Sequence, residues 1–357
     1  MKRLDRYILG KFLRAFVFSV FIIDLIVLVI DYTEKNQKYN RANLTWAEIG
    51  GYYLDYMPWV TNLIVPLTTF IACVFITSRL ATHSEIIAML SSGISFRRLM
   101  VPYLIGSTMI AGVAFYFTGW VIPQSNKERV AFEVAHLERP WYFNERNYHV
   151  KIGPETHFYV ESYSNRTKIG YKVVLETIED HQLKNKLSGA RIEWNGDDEK
   201  WRIKNWQMRT FEGDEEVMTF GTELDTTLTI SPEDFENDYR RFETLTIDEL
   251  NAYLDLLRER GSEGLEDYIV EREVRYAQPF AIIILTIIGL LVSSRKTRGG
   301  TGAMIALGFV IAFVFIMFFI LSRSLATKGV MNITFAAWLP NIIFSGVAFF
   351  MYRTLPR

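Results

Sequence analysis

Six stretches of the chain are apolar almost without interruption, near residues 12–32, 56–78, 99–122, 276–293, 303–322 and 334–352. A helix needs about 20 apolar residues to cross a bilayer core, so the pattern predicts six transmembrane helices. Between the third and the fourth the period changes. HVKIG, HFYVESYS, GYKVVLETIED, SGARIEWN, WRIKNWQMRTFEG and EVMTFGTELDTTLTI alternate polar and apolar positions. Asn, Gly and Asp turns separate them, as at 195–198 and 212–215. Alternation of this kind predicts one inserted antiparallel β domain, a sandwich or an open jelly roll. The predicted fold class is an α-helical membrane protein with six transmembrane helices and an inserted, jelly-roll-like antiparallel β domain. Its parts are a first membrane half at 1–122, the β domain at 123–245, connecting helices at 246–275 and a second membrane half at 276–357.

Two shorter helices complete the pattern. In TIDELNAYLDLLRERG, Thr246 and Glu249 fit a capping box, Leu250, Leu254 and Leu257 form one stripe, and Gly261 is placed to stop the helix. In ATHSEIIAMLSSGIS, residues 81–95, Thr82 and Glu85 fit the same box, and Gly93 is placed to end the helix in the left-handed conformation. This segment, about 82–93, is too short to span, yet Ile86, Ile87, Met89 and Leu90 make it partly apolar. It either lies flat on the membrane or docks into a groove on a partner.

Charge orients the helices. The formal net charge of −1 conceals a division: residues 123–271 hold 19 Lys and Arg against 32 Asp and Glu, and the remainder holds 20 against 8. Lys2, Arg3, Arg6, Lys11, Arg79, Arg97, Arg98, Arg295, Lys296, Arg298, Arg353 and Arg357 fall on one side of a six-span bundle. By the positive-inside rule that side is the cytoplasm, with both termini inside and the acidic insert outside. The basic then apolar N-terminus is longer than a signal-peptide core and lacks a small-x-small cleavage site, so it reads as a retained span. Cys73 is the single cysteine, so no intramolecular disulfide is available.

Catalytic signatures are sparse. The histidines at 83, 136, 149, 157 and 181 lack metal-site spacing, and there is neither a G-x-S-x-G nor a P-loop. SRKTRGGTG, 294–302, reads as a basic turn. Asp24 lies within the first span, where a carboxylate is a functional candidate by default. Asp31, Lys35 and Lys38 follow on the same helical stripe if the helix continues outward. The stripe is either a polar face towards a lateral cavity, with lysines at its mouth for an anionic head group, or a helix–helix pairing by Asp24 with solvated lysines.

Five segments carry a family resemblance: LDRYILGKFL at 4–13, SEIIAMLSSGIS at 84–95, WVIPQSN at 120–126, the stretch from TIDELNAYLDLLRERG through VEREVRYAQPFA at 246–281, and LPN at 339–341. In order and spacing they resemble the LptF/LptG permeases, membrane subunits of the ABC-type exporter that extracts lipopolysaccharide from the bacterial inner membrane. The resemblance covers the whole chain, and the LDRY start and the lysines favour the G type. It implies a non-catalytic transport subunit in the inner membrane, with a periplasmic jelly roll that passes lipid to a bridge. It implies four partners: a cytoplasmic ATPase dimer, a second LptF/LptG-like permease, a one-span periplasmic jelly-roll protein of the LptC kind, and lipopolysaccharide. It implies ATPase coupling through Glu85, Ile86, Met89, Leu90 and Gly93, and lipid contact by Lys35, Lys38, Arg41 and Asp24. No catalytic residue, metal, cofactor or nucleic acid is expected. Two other classes compete: a membrane-anchored enzyme acting on envelope lipid, and a scaffold or sensor with a ligand-binding β domain.

Overall fold

The computed structural model describes residues 3–137, 146–179, 182–196, 198–212, 215–232, 235, 240–260, 265–294 and 300–354. Gly261, the basic residues Lys2, Arg295, Lys296, Arg298 and Arg357, His181, most of the turn 294–302 and parts of the turns at 195–198 and 212–215 lie outside the described residues. The chain divides into two units, Met1–Leu137 with Ile269–Arg357, and Glu138–Tyr268.

The first unit is helical. Helices α1 (Arg3–Arg41), α2 (Trp46–Thr82), α3 (Glu85–Ser91), α4 (Phe96–Tyr116) and α5 (Ile122–Phe132) lead into the second unit. There α6 (Arg241–Thr244) and α7 (Ile247–Arg260) follow the strands; then come α8 (Leu265–Ser293), α9 (Gly300–Thr327) and α10 (Ile333–Arg353). Two π-helical turns, Phe117–Val121 and Glu133–Leu137, flank α5 and make the third span one continuous helix from Phe96 to Leu137. Among the described residues six helices are long and apolar enough to cross a membrane, as the apolar runs predict.

The helix α2 is central and packs against α1, α5 and α9. Its Phe70 and Val74 meet Leu285 and Ile288 of α8, Phe315 of α9 and Phe344 of α10 in one core. A second core joins Ile8 and Phe12 of α1 to Leu80 of α2 and to Leu99 and Tyr103 of α4. By contrast, the apolar window of α1 is 0% buried, and that of α9 is 22% buried, against 61% for α2 and α8. The spans α1 and α9 therefore turn long apolar faces outward.

The second unit is a six-stranded antiparallel sheet in sequential order: β1 (Arg146–Lys151), β2 (Thr156–Ser164), β3 (Ile169–Glu179), β4 (Gln182–Asn195), β5 (Lys200–Glu212) and β6 (Glu215–Thr226). Each alternating segment of the sequence becomes one strand. Period-two alternation places Phe158 and Val160, Val173 and Leu175, and Trp201 and Ile203 on one buried face. The segment after β6 covers this face: Ile230 and Phe235 are buried in it, and the Trp201 indole N–H donates to the Ile230 carbonyl at 2.7 Å. The strands follow one another in a single sheet rather than dividing between two. The edge strand β6 exposes Val217, Met218 and Phe220. In α7 the predicted capping box forms, with the Glu249 carboxylate accepting from the Thr246 N–H at 2.8 Å, and Leu250 and Leu254 are buried.

Candidate functional site

At one end of the bundle, α2 continues through Thr82, whose hydroxyl donates to the Ser78 carbonyl at 2.9 Å. The predicted box of Thr82 with Glu85 therefore does not start α3. The apolar run of α2 carries the helix through that threonine, and the chain reverses at Ser84, which sits in the left-handed region at φ 61° and supplies no side-chain cap. The other end of α3 follows the prediction. Gly93 has φ 85°, its N–H bonds the Leu90 carbonyl at 3.0 Å, and the Ile94 N–H bonds the Met89 carbonyl at 3.2 Å. That is a Schellman ending, which glycine permits without a Cβ penalty.

Two faces of α3 differ. Ile86 is buried with Ile8, Phe12 and Leu80, and Met89 packs on the same core. Ile87 and Leu90 are exposed. Glu85 is half-buried and faces α1: the Tyr7 hydroxyl donates to its carboxylate at 3.2 Å, Lys11 lies 3.8 Å away, and Lys11 also bonds the Tyr7 hydroxyl. Beside it Arg98 pairs with buried Asp5 at 2.5 Å. The LDRYILGKFL segment thus seats the start of α1 against α3 and α4: Asp5 and Tyr7 by polar contacts, Ile8 and Phe12 by burial. The sequence signal was the capped, isolated helix; the Asp5, Tyr7 and Lys11 contacts depend on α1 lying alongside it.

The other end of α1 carries a dense polar cluster. Lys35 bonds the Asp31 carboxylate at 2.8 Å and the Tyr52 hydroxyl at 2.6 Å, and lies over the rings of Tyr52 and Tyr56. Tyr52 donates onward to Glu133 at 2.9 Å, and Tyr53 donates to Asp31 at 2.9 Å. Arg129, 1% exposed, pairs with Glu133 at 3.4 Å, bonds Asn126 at 2.9 Å and stacks on Trp59. Two buried carboxylates, buried Arg129 and half-buried Lys35 are thus brought together, the arrangement that makes buried charge tolerable. The residues of WVIPQSN find a role here, since Asn126 orients Arg129. Sequence reasoning placed Asp31 and Lys35 on one stripe but missed their partners, although YYLDY at 52–56 and the four-residue spacing of Arg129 and Glu133 carried the signal.

The four residues of the predicted lipid contact all lie on α1, in different surroundings. Asp24 faces α2, where the Thr61 hydroxyl donates to it at 2.8 Å. Lys35 is enclosed by aromatic rings, while Lys38 and Arg41 are exposed at the tip of α1. Further along, Asn62 of α2 accepts from Thr118 of the first π turn at 3.0 Å and donates to Gln278 of α8 at 3.3 Å. π turns inside α-helices are frequent at functional sites. Asn341 of the LPN segment donates to the Ala277 carbonyl at 2.7 Å and ties α10 to α8. Among the described residues no group of three His, Cys, Asp or Glu side chains has metal-binding geometry.

Six membrane-length helices, a short helix between two spans and an inserted antiparallel sheet define a polytopic membrane protein. The chain matches the family described as lipopolysaccharide export system permease LptF/LptG over residues 6–354, and it belongs to that family. The match is to the joint family, F and G types together. A search of curated proteins finds no match to this sequence.

Proposed function

We propose that this chain is the permease subunit that extracts lipopolysaccharide from the inner membrane and passes it to a periplasmic β bridge, driven by ATP hydrolysis on a separate cytoplasmic ATPase dimer. The observation that carries this reading is α3: a seven-residue helix anchored by Ile86 and Met89, capped by Gly93, and presenting Ile87 and Leu90 outward. Exposed apolar side chains on a rigidly held helix suit a groove on a partner. In this reading the outward faces of α1 and α9 meet a second permease around the lipid, with Asp24 held on α1 by α2. Lys38 and Arg41 offer cations to the lipid A phosphates, and Lys35 shapes the tip of α1 that carries them. The exposed edge β6 suits strand pairing with the β domain of a one-span, LptC-like protein. The acidic β unit then lies in the periplasm and both termini in the cytoplasm, and the LDRY start and these lysines support the G type. Burying several acyl chains stabilises the membrane-bound lipid by about 0.8 kcal/mol per CH₂, so extraction requires an external energy source.

The test uses Glu85, because it already bonds Tyr7 and pairs with Lys11. Glu85→Arg is expected to abolish co-purification of the ATPase. The swap Lys11→Glu with Glu85→Arg restores the internal pair and not a partner contact, so it is expected to remain uncoupled. Full rescue by the swap would assign Glu85 to internal docking alone. Unchanged ATPase recovery and transport in Glu85→Arg would overturn the docking role of α3.

A further inference from the structure

Between α4, α8 and α10 lies an open cleft of about 410 Å³. Met100 and Leu104 of α4, Ile287 of α8 and Phe349 of α10 form its walls. At the rim, Arg97 donates from Nε to the Tyr352 hydroxyl at 2.7 Å. The cleft opens at the end of the bundle that carries α3, because Arg97 is in the first turn of α4 and Tyr352 in the last turn of α10. From Arg97 to Leu104 the helix rises about 10 Å, within one leaflet of a hydrocarbon core about 30 Å thick.

Among the described residues the rim is cationic. Arg98, one residue on, pairs with Asp5, but among the described residues no carboxylate pairs with Arg97. Arg353 adds a second exposed cation, over the ring of Phe349. An apolar cleft in a bilayer excludes water, and acyl chains are the apolar matter that surrounds it. An arginine fork retains N–H groups beyond the one on Tyr352, suited to a phosphate. A zwitterionic head group would bring its own cation towards Arg97 and Arg353.

We propose that this cleft is a binding site for one anionic glycerophospholipid, with an acyl chain between α4, α8 and α10 and its phosphate on Arg97 and the Tyr352 hydroxyl. The proposal rests on the membrane-spanning reading and not on lipopolysaccharide export, so failure of the exporter model leaves it standing.

The experiment is native mass spectrometry of the full chain, with whatever partners co-purify, after delipidation and titration with phosphatidylglycerol or phosphatidylcholine. The wild type is expected to prefer phosphatidylglycerol about tenfold, because the phosphate contact is common to both lipids and choline alone sets a like charge against Arg97 and Arg353. Arg97→Gln is expected to erase that preference, and Ser345→Phe, which fills the cleft from an exposed position, to weaken both lipids. Equal binding of the two lipids by the wild type would overturn the proposal. So would an Arg97→Gln protein that melts lower yet keeps the preference, since Arg97 would then be only a staple to Tyr352. Lipopolysaccharide displacing phosphatidylglycerol from the wild type but not from Ser345→Phe would assign the cleft to the other phosphate-bearing lipid and overturn it as well.

Discussion

Gly106 of α4 lies against α1: a Cβ added there would lie 2.8 Å from the Phe12 ring. Phe12 is wholly buried, so the ring cannot swing away freely. Gly106→Ala is expected to destabilise by about 1–3 kcal/mol through overpacking, seen as a lower melting temperature in detergent, with partial recovery when Phe12→Leu is added. The Arg129–Glu133 pair makes a second residue-level case. Glu133→Ala removes the carboxylate that Arg129 and Tyr52 share, and breaking a buried pair costs about 3–5 kcal/mol. The melting temperature of Glu133→Ala is therefore expected to fall well below that of Tyr52→Phe, which leaves the pair intact.

Elements show where local pattern suffices and where it does not. Strand existence was legible because alternation depends on neighbours two residues away; each of the six quoted segments is a strand. Strand order was not, since pairing is decided by contacts across the whole insert. The Thr-x-x-Glu motif occurs at 45, 82 and 246, and the structure forms the box at Thr45 and Thr246. Only at 82 does an apolar helix run directly into the threonine, and there propagation of α2 wins. Thr246→Ala is expected to cost about 1 kcal/mol and to speed hydrogen exchange in the first turn of α7. On the sheet, Arg209 holds Glu216 and Arg202 holds Asp225 below the usual carboxylate range. A depressed carboxylate stabilises the fold above its unfolded pKa of about 4 and loses that contribution as pH falls. Both pairs are exposed, so β5–β6 protection is expected to drop on acidification at low salt and much less at high salt.

For the whole molecule, the six spans and the acidic insert followed from composition alone, because a bilayer sorts apolar length and basic charge without regard to tertiary detail. What composition could not carry were pairings between distant segments: Asp5 with Arg98, Lys35 with Tyr52, Asn341 with Ala277. Orientation is open to direct measurement. Cys73 is fully buried and serves as a silent background. A cysteine introduced at Ser164 in the sheet is expected to react with an impermeant maleimide added to intact spheroplasts, and one at Ser92 beyond α3 only after the membrane is opened.

The first helix has one consequence for motion. Its 39 residues contain no proline and extend about 58 Å, nearly twice the bilayer core. One end is clasped by Glu85 and Arg98, and the other holds Lys35 in its aromatic enclosure. A rod gripped at both ends has no joint in which a displacement can be lost. If α3 shifts against α2, either the grip at Tyr7 and Asp5 slips or the far tip, with Lys38 and Arg41, moves in the same stroke.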